Sequence, residues 1–266
     1  MTLQLGWFST GRGQGSRGML ERALQAIDTG ELDARLQFVF SNWERGEGEG
    51  SDRFFDLVES RGVPLLTYSS RKFRRAHDGD FGAHRAEYDA HVLGLLSPYS
   101  PGLCVLAGYL LVLSPVLCQA GTFINMHPAL PDGPKGLWQS VNWELIDRRA
   151  PETGAMVFLV IEAVDEGPPI AYARFPLRGP RFDPLWARAG VESSMALREL
   201  RGEEDSLFQA IRQEGLRREP VLLLETLKAF AKNELRIDGG RLVDAQGRPA
   251  SPRDLTPRVE AIVAAH

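Results

Sequence analysis

The tetrad Asn125-Met126-His127-Pro128 brings an amide, an imidazole and a proline together at the end of an apolar segment, residues 122–126. An asparagine amide can donate a hydrogen bond to a developing oxyanion, and a histidine can transfer a proton near neutral pH. Pro128 disfavours helical backbone at His127, so we expect a strand that leads directly into an extended turn. The tetrad therefore predicts acid–base chemistry at the carboxyl edge of a sheet; the alternative is a histidine that only forms a hydrogen bond within a turn.

Residues 11–18 form a glycine-rich segment between an expected first strand and a helix. Gly13, Gly15 and Gly18 match the G-x-G-x-x-G pattern that binds dinucleotides. That function also requires an acidic residue at the end of the second strand, about 20 residues further on, to hold a ribose hydroxyl. The expected second strand ends before Glu44, the nearest acid, so the sequence disfavours a dinucleotide site.

A single phosphate group is the ligand that this segment fits better. Free backbone N–H groups at a helix N-terminus face an anion, and the helix dipole favours negative charge there. Gly13 and Gly15 permit close approach of the ligand. Ser16 adds a hydroxyl group, and either Arg17 or Arg12 adds a positive charge. We therefore expect the loop to bind a phosphate monoester; the alternative, a tight strand-to-helix turn, needs only one or two glycines.

Apolar runs and helical spacing predict alternating strands and helices over most of the chain. The expected strands are residues 3–9, 36–40, 63–68, 103–107, 122–126, 155–161 and 170–175. Alternation of this length indicates an α/β fold, with an open, mostly parallel, Rossmann-like sheet and helices on both faces. Residues 1–178 are expected to form the catalytic domain. Residues 179–266 are expected to be a C-terminal helical and hairpin extension packed on the same domain.

Three further segments carry more specific expectations. Residues 72–84 and 179–202 are rich in charged residues, proline or glycine and are expected to be irregular. Two separate helices, residues 207–213 and 220–233, are expected after them. The sequence Asp-Gly-Gly at residues 238–240 predicts a hairpin turn between two short strands.

The composition of the 266 residues, with 43% hydrophobic and 25% charged residues, is that of a soluble globular protein. The net charge of −4 argues against binding nucleic acid, where a basic surface is expected. The most apolar segment, residues 103–113, is too short to span a bilayer, so no membrane association is expected. Cys104 and Cys118 have no CxxC spacing, which predicts reduced thiols in a cytoplasmic protein and no metal site.

Four motifs together resemble the family of formyltransferases that use 10-formyltetrahydrofolate. The sequence VLAGY at residues 105–109 is similar to the start of the family's VLAGFMRILSP, and FINMHPALP at residues 123–131 is similar to LNIHPSLLP. The pair GL at residues 136–137 follows in the same order, as does VDEGP at residues 164–168, where the family has LDGGP. The similarity covers about residues 3–177, and within the family it points to the enzymes that formylate glycinamide ribonucleotide.

The resemblance implies roles for individual residues. It makes Asn125, His127 and Asp165 the catalytic residues of formyl transfer from 10-formyltetrahydrofolate to a primary amine. It assigns Pro128 and Glu214 to the amine substrate, the latter within QEGLRREP, which is one residue longer than the family's QEHAIYP. The folate is expected against Leu110, Leu111, Leu113, Ile161 and Val164. Because two consecutive strand ends carry the three catalytic residues, we expect them to converge at the carboxyl edge of the parallel sheet.

The sequence also departs from the family pattern. Leu111 stands where an arginine near the folate is common, Ala129 where serine is frequent, and Phe158 where histidine is frequent. The expected acceptor is glycinamide ribonucleotide, in purine biosynthesis, and an amino sugar nucleotide is the alternative. A nucleotide-binding oxidoreductase and a non-catalytic folate-binding relative are alternatives of another class. We expect small-molecule substrates, no metal, no nucleic-acid or membrane partner, and a monomer or homodimer.

Overall fold

The computed structural model describes residues 2–163, 166–190 and 194–265. The strands in these ranges are β1 (Leu3–Phe8), β2 (Ala34–Ser41), β3 (Leu65–Thr67), β4 (Leu103–Leu106), β5 (Phe123–His127), β6 (Glu152–Leu159), β7 (Pro169–Pro176), β8 (Leu235–Asp238), β9 (Arg241–Asp244) and β10 (Arg253–Asp254). The helices are α1 (Gln14–Asp28), α2 (Glu49–Ser60), α3 (Ser70–Ala76), α4 (Arg85–Leu96), α5 (Pro115–Cys118), α6 (Trp138–Asp147), α7 (Asp183–Ala189), α8 (Ser194–Arg201), α9 (Ser206–Ala231) and α10 (Thr256–Ala264). None of the helices in these ranges is long and apolar enough to cross a membrane.

Eight of the strands form one sheet in the order β10-β7-β6-β5-β4-β1-β2-β3. The strands from β5 to β3 in this order are parallel to one another, as is β10 to β7, whereas β6 is antiparallel to both β5 and β7. The expected open, mostly parallel α/β sheet is confirmed. β8 and β9 form the expected separate hairpin, whose turn residues Gly239 and Gly240 have φ angles of 52° and 73°.

Strand side chains alternate between two apolar cores, one on each face of the sheet. In β5, Ile124 and Met126 belong to the core that also contains residues of α1 and α9. Phe123 belongs to the core on the other face. Because alternate residues of a strand share a face, Asn125 and His127 lie on the Phe123 side. The apolar pattern of β5 thus decides which face of the sheet carries its two polar side chains.

Helices occupy parts of both segments that were expected to be irregular. α3 begins after Ser69, whose hydroxyl oxygen accepts a hydrogen bond from the Lys72 N–H at 3.0 Å, and it buries Phe73. Further along, α7 buries Trp186 and α8 buries Leu197 in a common apolar cluster. The expectation of irregular structure is wrong in both places, because capping and the burial of single large side chains outweigh a charged, glycine-rich composition.

The two helices expected between residues 207 and 233 are a single helix, α9, of 26 residues. Pro220 lies inside α9, where its ring removes one backbone hydrogen bond and would ordinarily end a helix. Leu222, Leu223 and Leu227 are buried in the main core, and this burial holds the helix together through the proline. The expectation of a break is therefore wrong because tertiary packing overrides local preference. β10 and α10 have no counterpart in the sequence expectations.

Phe8 lies at the centre of an aromatic cluster that joins the central strands. Its ring is fully buried, and its centroid lies between 5.4 and 5.7 Å from those of Phe38, Phe40, Tyr109 and Phe123. Aromatic pairs at such separations contribute about 0.5–1.5 kcal/mol each beyond the burial of their area. One side chain of β1 thus ties together residues from β2, β5 and the turn after β4.

We predict that Phe8→Ala lowers the free energy of unfolding by about 3–5 kcal/mol, because it leaves a large cavity among four rings. Urea denaturation followed by circular dichroism measures this change. Leu200→Ala is the matched control, because Leu200 is 72% exposed and its truncation should change stability by less than about 0.5 kcal/mol. Equal losses in the two variants would contradict the central position of Phe8.

Candidate functional site

A cavity of about 560 Å³ is lined by Asn125 and His127 of β5. This volume is typical of sites for small molecules, which span about 300–1,000 Å³. The expected site residues that line the cavity are Gly13, Gly15, Ser16, Leu110, Leu111, Leu113, Asn125, His127, Pro128 and Ile161. The structure thus brings residues of four separate segments together, and α9 adds a fifth. Arg17 and Glu214 are not among the lining residues.

Asn125 and His127 supply the polar groups at the end of β5. His127 is only 3% exposed, and its Nε2 lies 2.8 Å from the backbone oxygen of Pro134. A carbonyl oxygen only accepts hydrogen bonds, so this contact assigns a proton to Nε2, which donates it. Nδ1 is therefore the ring nitrogen available for proton exchange. Together the two side chains offer an amide donor and a proton-transferring group to one part of the cavity.

The segment that follows β6 approaches the cavity from the opposite end of β5. The N–H of Val160, just after β6, donates to the oxygen of Phe123, the first residue of β5, at 2.8 Å. Val160 and Ile161 nevertheless line the cavity. Because β6 is antiparallel to β5, the ends of these two consecutive strands lie at opposite edges of the sheet. The convergence of Asn125, His127 and Asp165 stays a prediction. Asp165 and Val164 lie outside the described residues.

The turns that follow β1 and β4 are fastened to each other beside the cavity. The hydroxyl of Ser9 donates to the oxygen of Ala107 at 2.7 Å. The hydroxyl and the N–H of Thr10 both donate to the oxygen of Gly108, at 2.7 and 3.0 Å. Gly108 has a φ angle of +71°, and a Cβ at this position would overlap the Oγ of Ser16. Glycine at 108 therefore lets the first turn of α1 lie against the cavity wall.

The expected glycine loop is mostly the first turn of α1, which begins at Gln14 with Gly13 as its N-cap. The first N–H groups of a helix have no partner within the helix, so this terminus can bind an anion. The space beside Gly13 is open. At Gly15, however, a Cβ would stand 2.7 Å from an Arg212 nitrogen. Gly15 therefore allows α9 to pack closely against α1. The sequence predicted that this glycine would allow a ligand to approach.

Two arginines flank the first turn of α1, and one of them lines the cavity. Arg12 is exposed and lines it, with its guanidinium carbon 4.7 Å from the centre of the Trp43 ring. Arg17 points elsewhere: its Nε lies 3.6 Å from a carboxylate oxygen of Glu21, one turn along α1. The positive side chain at this end of the cavity is therefore Arg12, in place of the expected Arg17.

α9 contributes an ion pair that the sequence motifs do not reveal. Arg212 and Glu219 both line the cavity, and their Nη1 and Oε1 atoms lie 2.6 Å apart. The guanidinium of Arg212 also lies 4.8 Å from the centre of the Trp138 ring. A separation of seven residues is two helical turns, which places both side chains on one face of α9. That seven-residue spacing is the sequence signal from which the pair could have been predicted.

Glu214, expected at the amine substrate, has a different environment. It is buried, and its carboxylate pairs with Arg181, Arg217 and Arg218. This position on α9 is turned away from the face that carries Glu219. The expectation for Glu214 came from a motif that is one residue longer in this chain than in the family. On a helix, a shift of one residue turns a side chain toward a different face. Glu219 is the carboxylate of α9 that lines the cavity.

The segment after β4 and the end of β6 give the cavity an apolar wall. Leu110 and Val112 are 49% and 50% exposed on this wall. Phe158 pairs with Asn125 across the strands, and its ring meets His127 edge-on with centroids 6.4 Å apart. Exposed aliphatic side chains beside a few polar groups are typical of sites that bind flat aromatic ligands.

Neither cysteine lines this cavity. Burial raises the pKa of Cys104 to about 12. Burial, together with the nearby charge of Glu162, also raises the pKa of Cys118. Because the thiolate is the reactive form, both thiols are poor nucleophiles at neutral pH. Neither cysteine is therefore a candidate nucleophile for the cavity, whose polar lining includes Asn125 and His127.

Comparison with known families matches residues 12–178 to the formyl transferase family. The matched segment is more than half of the chain and includes the first turn of α1, the wall after β4 and the end of β5. The chain belongs to the formyl transferase family. The resemblance predicted from the four motifs is thereby confirmed, and the enzyme class with it.

Curated members of the family have related sequences. A phosphoribosylglycinamide formyltransferase from Schizosaccharomyces pombe is 30% identical over 175 residues, which are 63% of this chain and 80% of that relative. The protein of the same name from Escherichia coli K12 is 27% identical over 181 residues, 67% of this chain and 77% of the relative.

Solved structures of the family share the fold. A phosphoribosylglycinamide formyltransferase from Coxiella burnetii superposes with a TM-score of 0.68 at 18% identity and covers 96% of this chain and 100% of that one. A formyltetrahydrofolate deformylase from Burkholderia mallei superposes with a TM-score of 0.64 at 20% identity, over 92% of this chain and 70% of that one. The expected formyltransferase fold is confirmed.

We predict that Gly108→Ala lowers kcat/KM for the formyl acceptor roughly ten- to a hundredfold, because the new methyl group displaces Ser16 and the first turn of α1. Steady-state kinetics at saturating formyl donor measures the effect. Gly18→Ala is the matched control on α1, since nothing lies within 4 Å of its added Cβ and alanine favours the helix by up to about 1 kcal/mol. Unchanged kinetics in Gly108→Ala would refute the role of this contact.

Proposed function

We propose that this protein transfers the formyl group of 10-formyltetrahydrofolate to the amino group of glycinamide ribonucleotide, a step of purine biosynthesis. The observation that carries the proposal is that one cavity joins Asn125 and His127 to the anion-binding first turn of α1. A phosphorylated amine has both of the groups that these two ends of the cavity recognise. The named relatives of this chain in the family carry the same activity in their names.

The polar end of β5 supports the chemistry of acyl transfer. When the amine attacks the formyl carbon, negative charge develops on the formyl oxygen, and the Asn125 amide can donate a hydrogen bond to it. His127 keeps one proton on Nε2 through Pro134 and can exchange a second at Nδ1. The folate supplies the formyl group and the leaving nitrogen. We propose Asp165, by the family resemblance, as the third catalytic residue.

The two charged regions of the cavity support a substrate that carries a phosphate and an amine. The free N–H groups of α1, with Ser16 and Arg12, favour a phosphate. Glu219 offers a carboxylate to an ammonium or amine group, and its pairing with Arg212 holds that carboxylate in place. We therefore propose Glu219, in place of Glu214, as the acid of α9 that contacts the amine substrate.

The apolar wall supports the folate site. Leu110, Leu111, Leu113 and Ile161 all line the cavity and are the residues expected there. Their aliphatic side chains can cover a flat ring, while backbone groups of the same segment bind its polar edge. Leucine at 111 removes the charge that an arginine would offer to the folate tail. We propose that the reaction takes place in the cytoplasm, since both cysteines are free.

A direct assay tests the acceptor. The purified chain is mixed with 10-formyltetrahydrofolate and one acceptor at a time: glycinamide ribonucleotide, an amino sugar nucleotide, or water alone. We expect folate release to be fastest with glycinamide ribonucleotide and negligible with water. Faster release with the amino sugar nucleotide would replace the proposed acceptor. Equal release in all three reactions would mean hydrolysis and would reject the transferase.

We predict that His127→Ala and Asn125→Ala each lower kcat by roughly 100-fold or more, since each removes a group that acts in the transition state. Gln119→Ala serves as the control, because Gln119 forms a hydrogen bond with Glu162 outside the cavity lining. Single-turnover kinetics separates the chemical step from product release. Near-normal turnover in either cavity variant would show that its catalytic role is misassigned.

We predict that Arg12→Ala raises the KM for glycinamide ribonucleotide roughly tenfold, the scale of one charge-assisted contact, and weakens inhibition by inorganic phosphate. Arg17→Ala is the matched control on the same turn, because Arg17 pairs with Glu21. Inorganic phosphate should compete with the amine substrate and not with the folate. A larger rise in KM for Arg17→Ala than for Arg12→Ala would assign the phosphate contact to Arg17.

A further inference from the structure

His77, His84 and Glu87 form a cluster outside the cavity, where the chain passes from α3 to α4. One ring nitrogen of each histidine and one carboxylate oxygen of Glu87 all lie within 4.8 Å of one another. His77 follows the last residue of α3, His84 is the N-cap of α4, and Glu87 lies in the first turn of α4. The local fold therefore brings together two imidazoles that are seven residues apart and turns both toward one carboxylate.

The hydrogen bonds of His77 leave a lone pair directed at that carboxylate. Its Nδ1 lies 2.8 Å from the backbone oxygen of Phe73, which can only accept, so Nδ1 carries the proton. In the neutral ring, Nε2 then presents its lone pair to an oxygen of Glu87 at 3.4 Å. In this neutral form the lone pair on Nε2 is available to bind a metal ion, which a protonated ring could not do. A histidine that donates its other nitrogen to a backbone carbonyl is also the usual arrangement of a metal ligand.

The distances within the cluster match the edges of a metal polyhedron. Metal–nitrogen and metal–oxygen bonds of about 2.0–2.2 Å at a tetrahedral zinc ion separate neighbouring ligand atoms by about 3.3–3.5 Å. The nearest separations are of this size, although each involves a different carboxylate oxygen: 3.4 Å between His77 Nε2 and Glu87 Oε1, and 3.1 Å between His84 Nδ1 and Glu87 Oε2. The first of these is longer than a good nitrogen–oxygen hydrogen bond, which the intervening ion would explain.

The surroundings hold the ligands in position. The ring of His77 stacks on Phe73 with centroids 4.1 Å apart, and it lies 4.4 Å from the ring of His84. The two carboxylate oxygens of Glu87 lie 3.4 Å from Nε2 of His77 and 3.1 Å from Nδ1 of His84, so the carboxylate stands beside both rings. Glu87 is exposed at its tip, which leaves room for a water molecule as the fourth ligand.

We propose that His77, His84 and Glu87 bind a divalent transition-metal ion of the zinc type, which fastens the end of α3 to the start of α4. The sequence predicted no metal site because it considered cysteine spacing, and these ligands are two histidines and a glutamate. Imidazole and carboxylate ligands suit zinc and its neighbours better than calcium or magnesium, which take oxygen ligands. None of the three residues lines the catalytic cavity, so the site is a structural one.

The test is calorimetric titration of the chelator-treated, full-length protein with zinc chloride, together with its melting temperature with and without zinc. We expect one strongly bound ion per chain and a rise in melting temperature of about 5 °C or more at a hundredfold excess over Kd. His77→Ala and Glu87→Gln should weaken binding roughly 100-fold or more, since even outer-shell changes cost 10–100-fold. Glu87→Gln is the safer variant, because the side chain is mostly exposed and its loss leaves the fold intact.

His91→Ala is the matched control, because His91 lies one turn further along α4 and stacks on Tyr68 at 3.9 Å. It should bind zinc as the unmodified protein does. Replacement of zinc by cobalt should give the visible absorption of a tetrahedral ion in the unmodified protein and lose it in His84→Ala. Zinc affinity that is equal in the unmodified protein and in Glu87→Gln and His77→Ala would overturn the proposal, as would binding lost only in His91→Ala.

Discussion

The contact between the turn after β4 and the first turn of α1 is the constraint on which the rest of the site depends. Gly108 adopts a left-handed backbone, and Ser16 occupies the space where any side chain at 108 would stand. Ser9 and Thr10, which follow β1, also donate hydrogen bonds to the turn after β4. The first turn of α1 and the strand end that carries the polar residues consequently share one wall of the cavity.

In β5, side chains on one face pack in the main core, and the polar side chains lie on the other face. Alternation sends Ile124 and Met126 into the main core and leaves Asn125 and His127 on the opposite face of β5, from which both reach the cavity. The antiparallel direction of β6 then places Phe158 beside Asn125 and brings the segment after β6 to the same cavity from its far end. A buried strand can therefore present polar groups without losing the apolar contacts that anchor it.

Charge in the cavity is organised by long-range packing. Arg12 lies just before the first turn of α1 and is held over Trp43, and the Arg212–Glu219 pair reaches the same turn at Gly15, with Arg212 held over Trp138. An arginine stacked on an aromatic face keeps its charge while losing little freedom on binding. The 26-residue α9 is essential to this arrangement, because its packing through Pro220 carries Glu219 to the first turn of α1.

The sequence by itself determined the class of fold, the strands near the site, the position of Asn125 and His127 at the end of β5, and the glycine-rich start of α1. Each of these depends on residues that are neighbours along the chain, where periodicity and backbone preference act directly. Only the tertiary structure decided the direction of β6, the continuity of α9, and the fact that Glu219 and Arg12 line the cavity whereas Glu214 and Arg17 do not. Those features depend on contacts between distant segments, whose burial outweighs local preferences by amounts that no short pattern encodes.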